Sequence, residues 1–214
     1  MKKVVLLAVM ALSLSAMAQQ HVKPLAISLA EVKLDSLRVL YSSEPMMYRA
    51  SLDVVASDLK KNAEEIKAAK AELKEEQSHA QEIDNTLKDA SKTVNSLKSL
   101  YNKEEAELKS MQKNIEQQQR SLASKHNLAK ESRDNYKQAL ERQQKDLGYA
   151  LREVAERQRA MSDFETTIQN ATTSNQDYWA EVNQKAADLA NLEAQLKERQ
   201  AQIKSEQKSA KSMQ

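Results

Sequence analysis

The chain has 214 residues, 30% of them charged and 4% aromatic, with one Gly, two Pro and no Cys. So few turn-forming residues exclude an ordinary α/β or all-β domain, and the missing Cys excludes disulfide staples, thiol chemistry and zinc-thiolate sites. The formal charge is +2, but residues 1–18 hold two lysines and no acid, so residues 19–214 carry 31 basic against 31 acidic residues, a balance that points to no nucleic-acid partner.

The first element is a targeting segment. Lys2 and Lys3 precede an apolar run from Val4 to Leu14, and the small-x-small triplet Ala16-Met17-Ala18 follows. That order predicts a signal peptide over residues 1–18, cleaved after Ala18. The apolar run is well short of the ~20 residues that span a bilayer, and no Cys stands near the cleavage point to take a lipid. The expected product is periplasmic or secreted, with no integral membrane segment. Cleavage would place His21 third from a free amine, a pattern suited to square-planar Cu(II) or Ni(II). Chance also puts a His there and cyclisation of Gln19 would remove the amine, so no metal site and no cofactor is assigned.

Residues 19–44 form a separate N-terminal segment. Ser28 and Glu31 have capping-box spacing and predict a short amphipathic helix over about 29–41, through Leu34, Leu37 and Tyr41. Ser42 or Ser43 then offers an N-cap with Pro45 in the first turn of the next helix.

Residues 45–214 read as a helical coiled coil. Stepping by seven from Leu52 gives Leu59, Ile66, Leu73, Ala80, Leu87, Val94, Tyr101, Leu108, Ile115, Leu122, Ala129 and Tyr136, all apolar or aromatic. We take this row as heptad position a and the weaker row three residues on as d. Such a stripe cannot face water along a helix and requires a partner helix, from the same chain or another. Polar d residues Glu104, Gln118, Lys125 and Ser132 predict loose pairing around 118–132. Acid-to-base pairs four residues apart, such as Glu105–Lys109, Glu153–Arg157 and Glu193–Lys197, read as a solvated face.

Beyond Tyr136 the row fails and restarts four residues out of phase at Leu140, followed by Leu147, Val154, Met161, Ile168, Asn175, Val182, Leu189, Leu196, Ile203 and Ala210. An 11-residue step from Ala129 to Leu140 is a stutter near 136–140 in a continuous coiled coil. The second row crosses Gly148 and the turn-like stretch "NATTSNQD" at 170–177 in register, so helix is expected through both. Asn175 falls on the seam, as a register device or the mark of a kinked segment. Tyr178-Trp179 reads as local core rather than a contact point. The predicted fold is therefore all-α, a long continuous coiled-coil helix preceded by a short one. The alternative is an antiparallel helical hairpin turning near residue 130, which has no Gly or Pro to mark the turn.

No catalytic constellation is present. The adjacent acids Glu64-Glu65, Glu75-Glu76 and Glu104-Glu105 diverge on a helix, and His79 and His126 stand alone. The expectation is a non-enzymatic coiled-coil protein of the bacterial cell envelope, acting as spacer, scaffold or adaptor. Its seam, Leu52, Leu59, Ile66, Leu73, Leu87, Val94, Leu108, Ile115, Leu122, Leu140, Leu147, Val154, Ile168, Asn175, Val182, Leu189, Leu196 and Ile203, is the expected surface for protein partners, including further copies of the chain.

A signal peptide, a short N-terminal apolar segment and long helices also superficially resemble the Skp/OmpH chaperones, which implies a periplasmic holdase. That group has a small β-body closed by a strand near the C-terminus, whereas this chain ends "QIKSEQKSAKSMQ", with no strand candidate. A third reading, a helical-hairpin partner or activator of an envelope enzyme, goes with a turn near residue 130.

Overall fold

A computed structural model describes residues 21–124 and 129–212 of the chain. The expected signal peptide, its cleavage site, Lys125 and His126 lie outside these residues. The described residues hold three helices and no strand: α1 (Leu34–Leu40), α2 (Pro45–Ser124) and α3 (Lys130–Ser212). They belong to two compact units, a reversal unit of residues 84–173 and a terminal unit of residues 21–83 and 174–212.

Helix α2 begins at Pro45, so Glu44 stands at the N-cap and the caps expected at Ser42 or Ser43 lie in the preceding turn. Pro45 occupies the first helical position, where the N–H it lacks would have no intrahelical partner, and Tyr48 N–H donates to Glu44 C=O at 3.1 Å. The expected capping box at Ser28 and Glu31 does not form. Residues 21–33 are extended and α1 begins only at Leu34, behind Lys33, which makes no side-chain cap. Glu31 instead pairs with Lys33 at 2.5 Å, while the Ser28 carbonyl accepts a bond from Asn62 Nδ2 at 3.1 Å. Tertiary partners for the extended backbone here outweigh a local cap worth about 1 kcal/mol.

The continuous helix expected from the heptads is replaced by its alternative. The chain reverses between Ser124 and Lys130, and α2 and α3 pack antiparallel. In the reversal unit Ile115 and Leu122 cluster with Leu140 and Leu147, and Val94, Leu97 and Tyr101 with Val154 and Met161. Polar pairs fix the level: Lys98 Nζ lies 2.8 Å from Glu165 Oε1, and Gln119 Nε2 donates to Gln144 Oε1 at 3.0 Å. In the terminal unit the corresponding pair is Lys70–Glu193 at 2.6 Å. Partners in all three pairs are equidistant from about residue 131, so helix pairing within each unit is antiparallel.

That register explains the four-residue phase change. Ala129 and Tyr136, which the first row would place on the seam, are exposed, as are Gln118 and Ser132. The apolar seam ends at Leu122 and resumes at Leu140, so the offset follows from the reversal and is not a stutter.

Helix continuity through α3 otherwise follows the second heptad row. "NATTSNQD" is helical, with Thr172 and Thr173 hydroxyls donating to the carbonyls of Ile168 and Gln169 four residues back. Gly148 is also helical, and a Cβ added there would meet nothing within 4 Å. Its conformational freedom is therefore unused. Gly148→Ala is expected to stabilise the protein by about 0.5–1 kcal/mol, measured as an upward shift of the urea midpoint at unchanged slope.

Candidate interaction surfaces

The predicted seam residues are nearly all turned inward. Of the eighteen, Leu108 and Ile168 are half-buried and the other sixteen are buried against the chain's own opposite helix. The stripe that called for a partner helix has found one within the chain, so outer faces are what remains for other molecules. Asn175, at 2% exposure, donates from Nδ2 to the Ala80 carbonyl at 3.3 Å, a cross-helix bond in the seam of the terminal unit. Tyr178 is buried in that unit's core with Trp179 half-buried beside it, so the aromatic pair is packing.

In the terminal unit a third layer lies over the helix pair. Leu29 is buried in the core cluster, and Val22, Leu25, Ile27, Val32, Leu34, Leu37 and Tyr41 pack against it. An extended strand needs partners for its N–H and C=O groups, and here helix side chains supply them. Val22 N–H donates to Glu181 at 3.1 Å and Lys23 N–H to Glu76 at 3.3 Å. Ala30 N–H donates to Asn62 Oδ1 at 2.8 Å, and Arg199 Nη1 donates to the carbonyls of Leu29 and Ala30 at 3.1 and 2.7 Å. The spacing is commensurate. The eight residue steps from Val22 to Ala30 cover about 26 Å when extended, and the eighteen helical steps from Glu181 to Arg199 cover about 27 Å.

The same unit buries an ion pair. Lys185 Nζ donates to both Glu76 oxygens at 2.9 Å, with side-chain exposures of 5% for Lys185 and 14% for Glu76. Near the carboxyl end of α3, Glu206 accepts from Tyr48 Oη at 2.8 Å and from Arg38 Nε at 3.3 Å, tying α1, α2 and α3 together. Hydrogen bonding from Arg38 holds the Glu206 carboxyl below its ordinary range against the opposing effect of burial, with Tyr48 adding to the lowering. Beside this cluster, Arg38, Tyr41, Pro45, Tyr48, Glu206 and Ser209 line a recess of about 420 Å³. Val39, Leu40, Met46, Met47 and Val54 are all at least 50% exposed in the same unit.

Reading the heptads alone missed these groups. Asn62 and Glu76 occupy d positions and register there only as poor core residues; Lys185 sits three residues after Val182, the matching place in the second row. Opposite charges at mirrored d positions would have identified the Glu76–Lys185 pair once the centre of the hairpin was known.

In the reversal unit the pairing is thinner. Arg157 lies 3.5 Å from Glu104 with its guanidinium over the Tyr101 ring at 5.8 Å, and Gln158 donates to Asn102 and Glu105 at 3.1 and 2.9 Å. Further along, the helices leave a groove of about 490 Å³ with an apolar floor from Leu108, Met111, Ile115, Leu147 and Ala150, and with Asn114, Gln118, Gln143 and Asp146 also lining it. Met111 is 55% exposed and Tyr149 56%. No group of three His, Asp or Glu side chains among the described residues is placed to hold a metal ion, and no described helix is long and apolar enough to cross a membrane.

Two measurements test the terminal unit. Lys185→Leu strands a mostly buried carboxylate and is expected to cost on the order of 3 kcal/mol, whereas the double replacement Glu76→Leu with Lys185→Leu recovers most of it. Denaturant titrations of both variants and of Glu76→Leu complete the cycle; additive losses would show that the pair is uncoupled. For Glu206, a carboxyl depressed in the folded state adds stability above its unfolded pKa of about 4.3, and that contribution is lost as pH falls through the lower folded value. Glu206→Gln should therefore lower stability at about pH 7 and flatten the loss of stability between about pH 5 and pH 2. No family model, no curated protein and no solved structure matches the chain, so its functional reading rests on this geometry.

Proposed function

We propose that the chain is an exported, non-enzymatic helical-hairpin protein of the bacterial cell envelope, working as an adaptor or spacer through helix–helix contacts on its outer faces. One observation carries this reading: the apolar seam is spent on the chain's own pairing, while each unit keeps large apolar side chains exposed outside it. Surface apolar groups concentrated in this way mark places where another macromolecule docks. The recesses support the same reading: the one carboxylate of the terminal recess, Glu206, is already held by Arg38 and Tyr48, and the groove of the reversal unit is lined by one acid, Asp146, and no His.

Self-association remains part of the proposal, but through outer faces, since the seam is occupied. A hairpin partner or activator of an envelope enzyme is a narrower form of the same reading, favoured by the reversal near residue 130. The holdase reading has less support, because the described residues contain no strand from which the β-body of the Skp/OmpH group would be built.

A photo-crosslinking amino acid placed at Met46, Val54, Met111 or Tyr149 in cells of the source organism tests the adaptor reading. Expected are discrete adducts from the envelope fraction, at masses above the processed chain, with none from a control at the buried Val182. Crosslinking that is absent, or equally diffuse at every position, overturns it.

A further inference from the structure

The N-terminal segment is held in the terminal unit as a bound peptide is held. Residues 21–33 are extended and pair with no strand among the described residues, and four side chains of α2 and α3 take their main chain instead. Glu181 and Glu76 accept from the N–H groups of Val22 and Lys23, and Arg199 donates to the carbonyls of Leu29 and Ala30. Asn62 takes both the Ala30 N–H and the Ser28 carbonyl. It is 7% exposed and also donates to Glu65 at 2.9 Å, so its amide is a fixed fork in the groove floor. N–H and C=O groups are common to every residue but proline, so these contacts read an extended main chain and not a sequence.

Selectivity comes from alternation. Leu25, Ile27 and Leu29 turn toward the helix pair, while Ala26 and Ser28 between them are exposed. Past the Asn62 and Arg199 contacts the pattern resumes one residue out of phase through Ala30, Val32 and Leu34, with Glu31 and Lys33 exposed. Leu29 is the one buried residue of the segment; the rest of the buried cluster belongs to α2 and α3, which cover each other. Helix α1, through which the segment joins α2, buries no residue.

We propose that this groove is a binding site for an extended segment of a protein partner, with apolar side chains at alternate positions, and that residues 22–33 are its built-in competitor. The proposal rests on the adaptor reading and names the form in which a partner is held. Lifting the segment costs its own contacts and leaves the seam between α2 and α3 closed. An incoming main chain then restores the bonds to Glu181, Glu76, Asn62 and Arg199. A tethered competitor acts at an effective concentration on the order of millimolar, so poorly spaced segments are refused. The identical segment of a second copy gains no contact over the tethered one and loses to it. A different chain wins by filling more completely the places where Val22, Leu25 and Ile27 are only half-buried.

The test uses the processed full-length chain, two variants altered only in the segment, and a labelled peptide with the sequence of residues 21–34, followed by fluorescence anisotropy. Ile27→Asp removes an apolar contact, and Ala30→Pro removes the N–H that Asn62 takes; neither alters α2 or α3. Each variant is expected to keep its helicity and to bind the peptide saturably, at least about tenfold more tightly than the unaltered chain does. Adding Arg199→Ala, or N-methylating the peptide at the residue matching Ala30, should weaken that binding by at least about tenfold. A peptide of unrelated sequence with Leu, Ile or Val at the same alternate positions should bind within several-fold of the first. Absent binding to both variants overturns the proposal, as does binding indifferent to Arg199→Ala and to N-methylation. Loss of helicity in both variants also overturns it, because the segment would then be part of the fold and not a ligand. Binding confined to the chain's own sequence overturns it in favour of exchange between copies of the chain. If no peptide binds but crosslinks at Met46 and Val54 persist in cells, the groove assignment falls and the adaptor reading stands.

Discussion

An apolar stripe recurring every seven residues must be covered, and nearly everything else in this protein follows from its being covered by the same chain. Within each unit, residues of the Leu52–Leu122 row on α2 meet residues of the Leu140–Ala210 row on α3 in antiparallel pairing. In the terminal unit the N-terminal segment adds a third layer to that cover. Each seam side chain stabilises the fold by roughly 1.5–3 kcal/mol on burial, so a one-heptad slip forfeits a pair of contacts at an end but leaves the others apolar against apolar. Apolar repeats alone therefore bring the helices together without choosing strongly among registers.

That choice falls to the polar members of the core. A slip of seven residues would move Lys185 away from Glu76 and leave two desolvated charges unmatched, a penalty far larger than a lost Leu–Leu contact. Asn175 reaching the Ala80 carbonyl acts in the same sense. Asn62 does a different job: its amide accepts from Ala30 and donates to Ser28, which fixes the N-terminal segment along the helix pair. These residues weaken the heptad as a heptad and strengthen the fold as a single structure.

The two a rows, the helical character of Gly148 and of residues 170–177, and the core role of Tyr178 were legible in the sequence because periodicity is a local signal. The direction in which the second row met the first was not. A stutter and a turn leave the same four-residue offset between Tyr136 and Leu140, and only the run of polar d residues from Gln118 to Ser132 separates them. The Ser28–Glu31 spacing misled for the opposite reason: the local cap was a sound reading, but partners at Asn62 and Arg199, 34 and 170 residues from Ser28 and Leu29, capture the backbone first. Long-range polar partners of this kind leave no periodic trace.

Charge neutrality of residues 19–214 was likewise correct as a sum and uninformative as a distribution. The excess of cations lies between residues 109 and 145, where the d row is also poorest in apolar groups. A tightly packed seam there would have buried Met111 and Leu108, whereas with polar Gln118 at d the helices leave a groove of about 490 Å³. The terminal unit leaves no such opening at the equivalent row, because its own N-terminal segment already packs there.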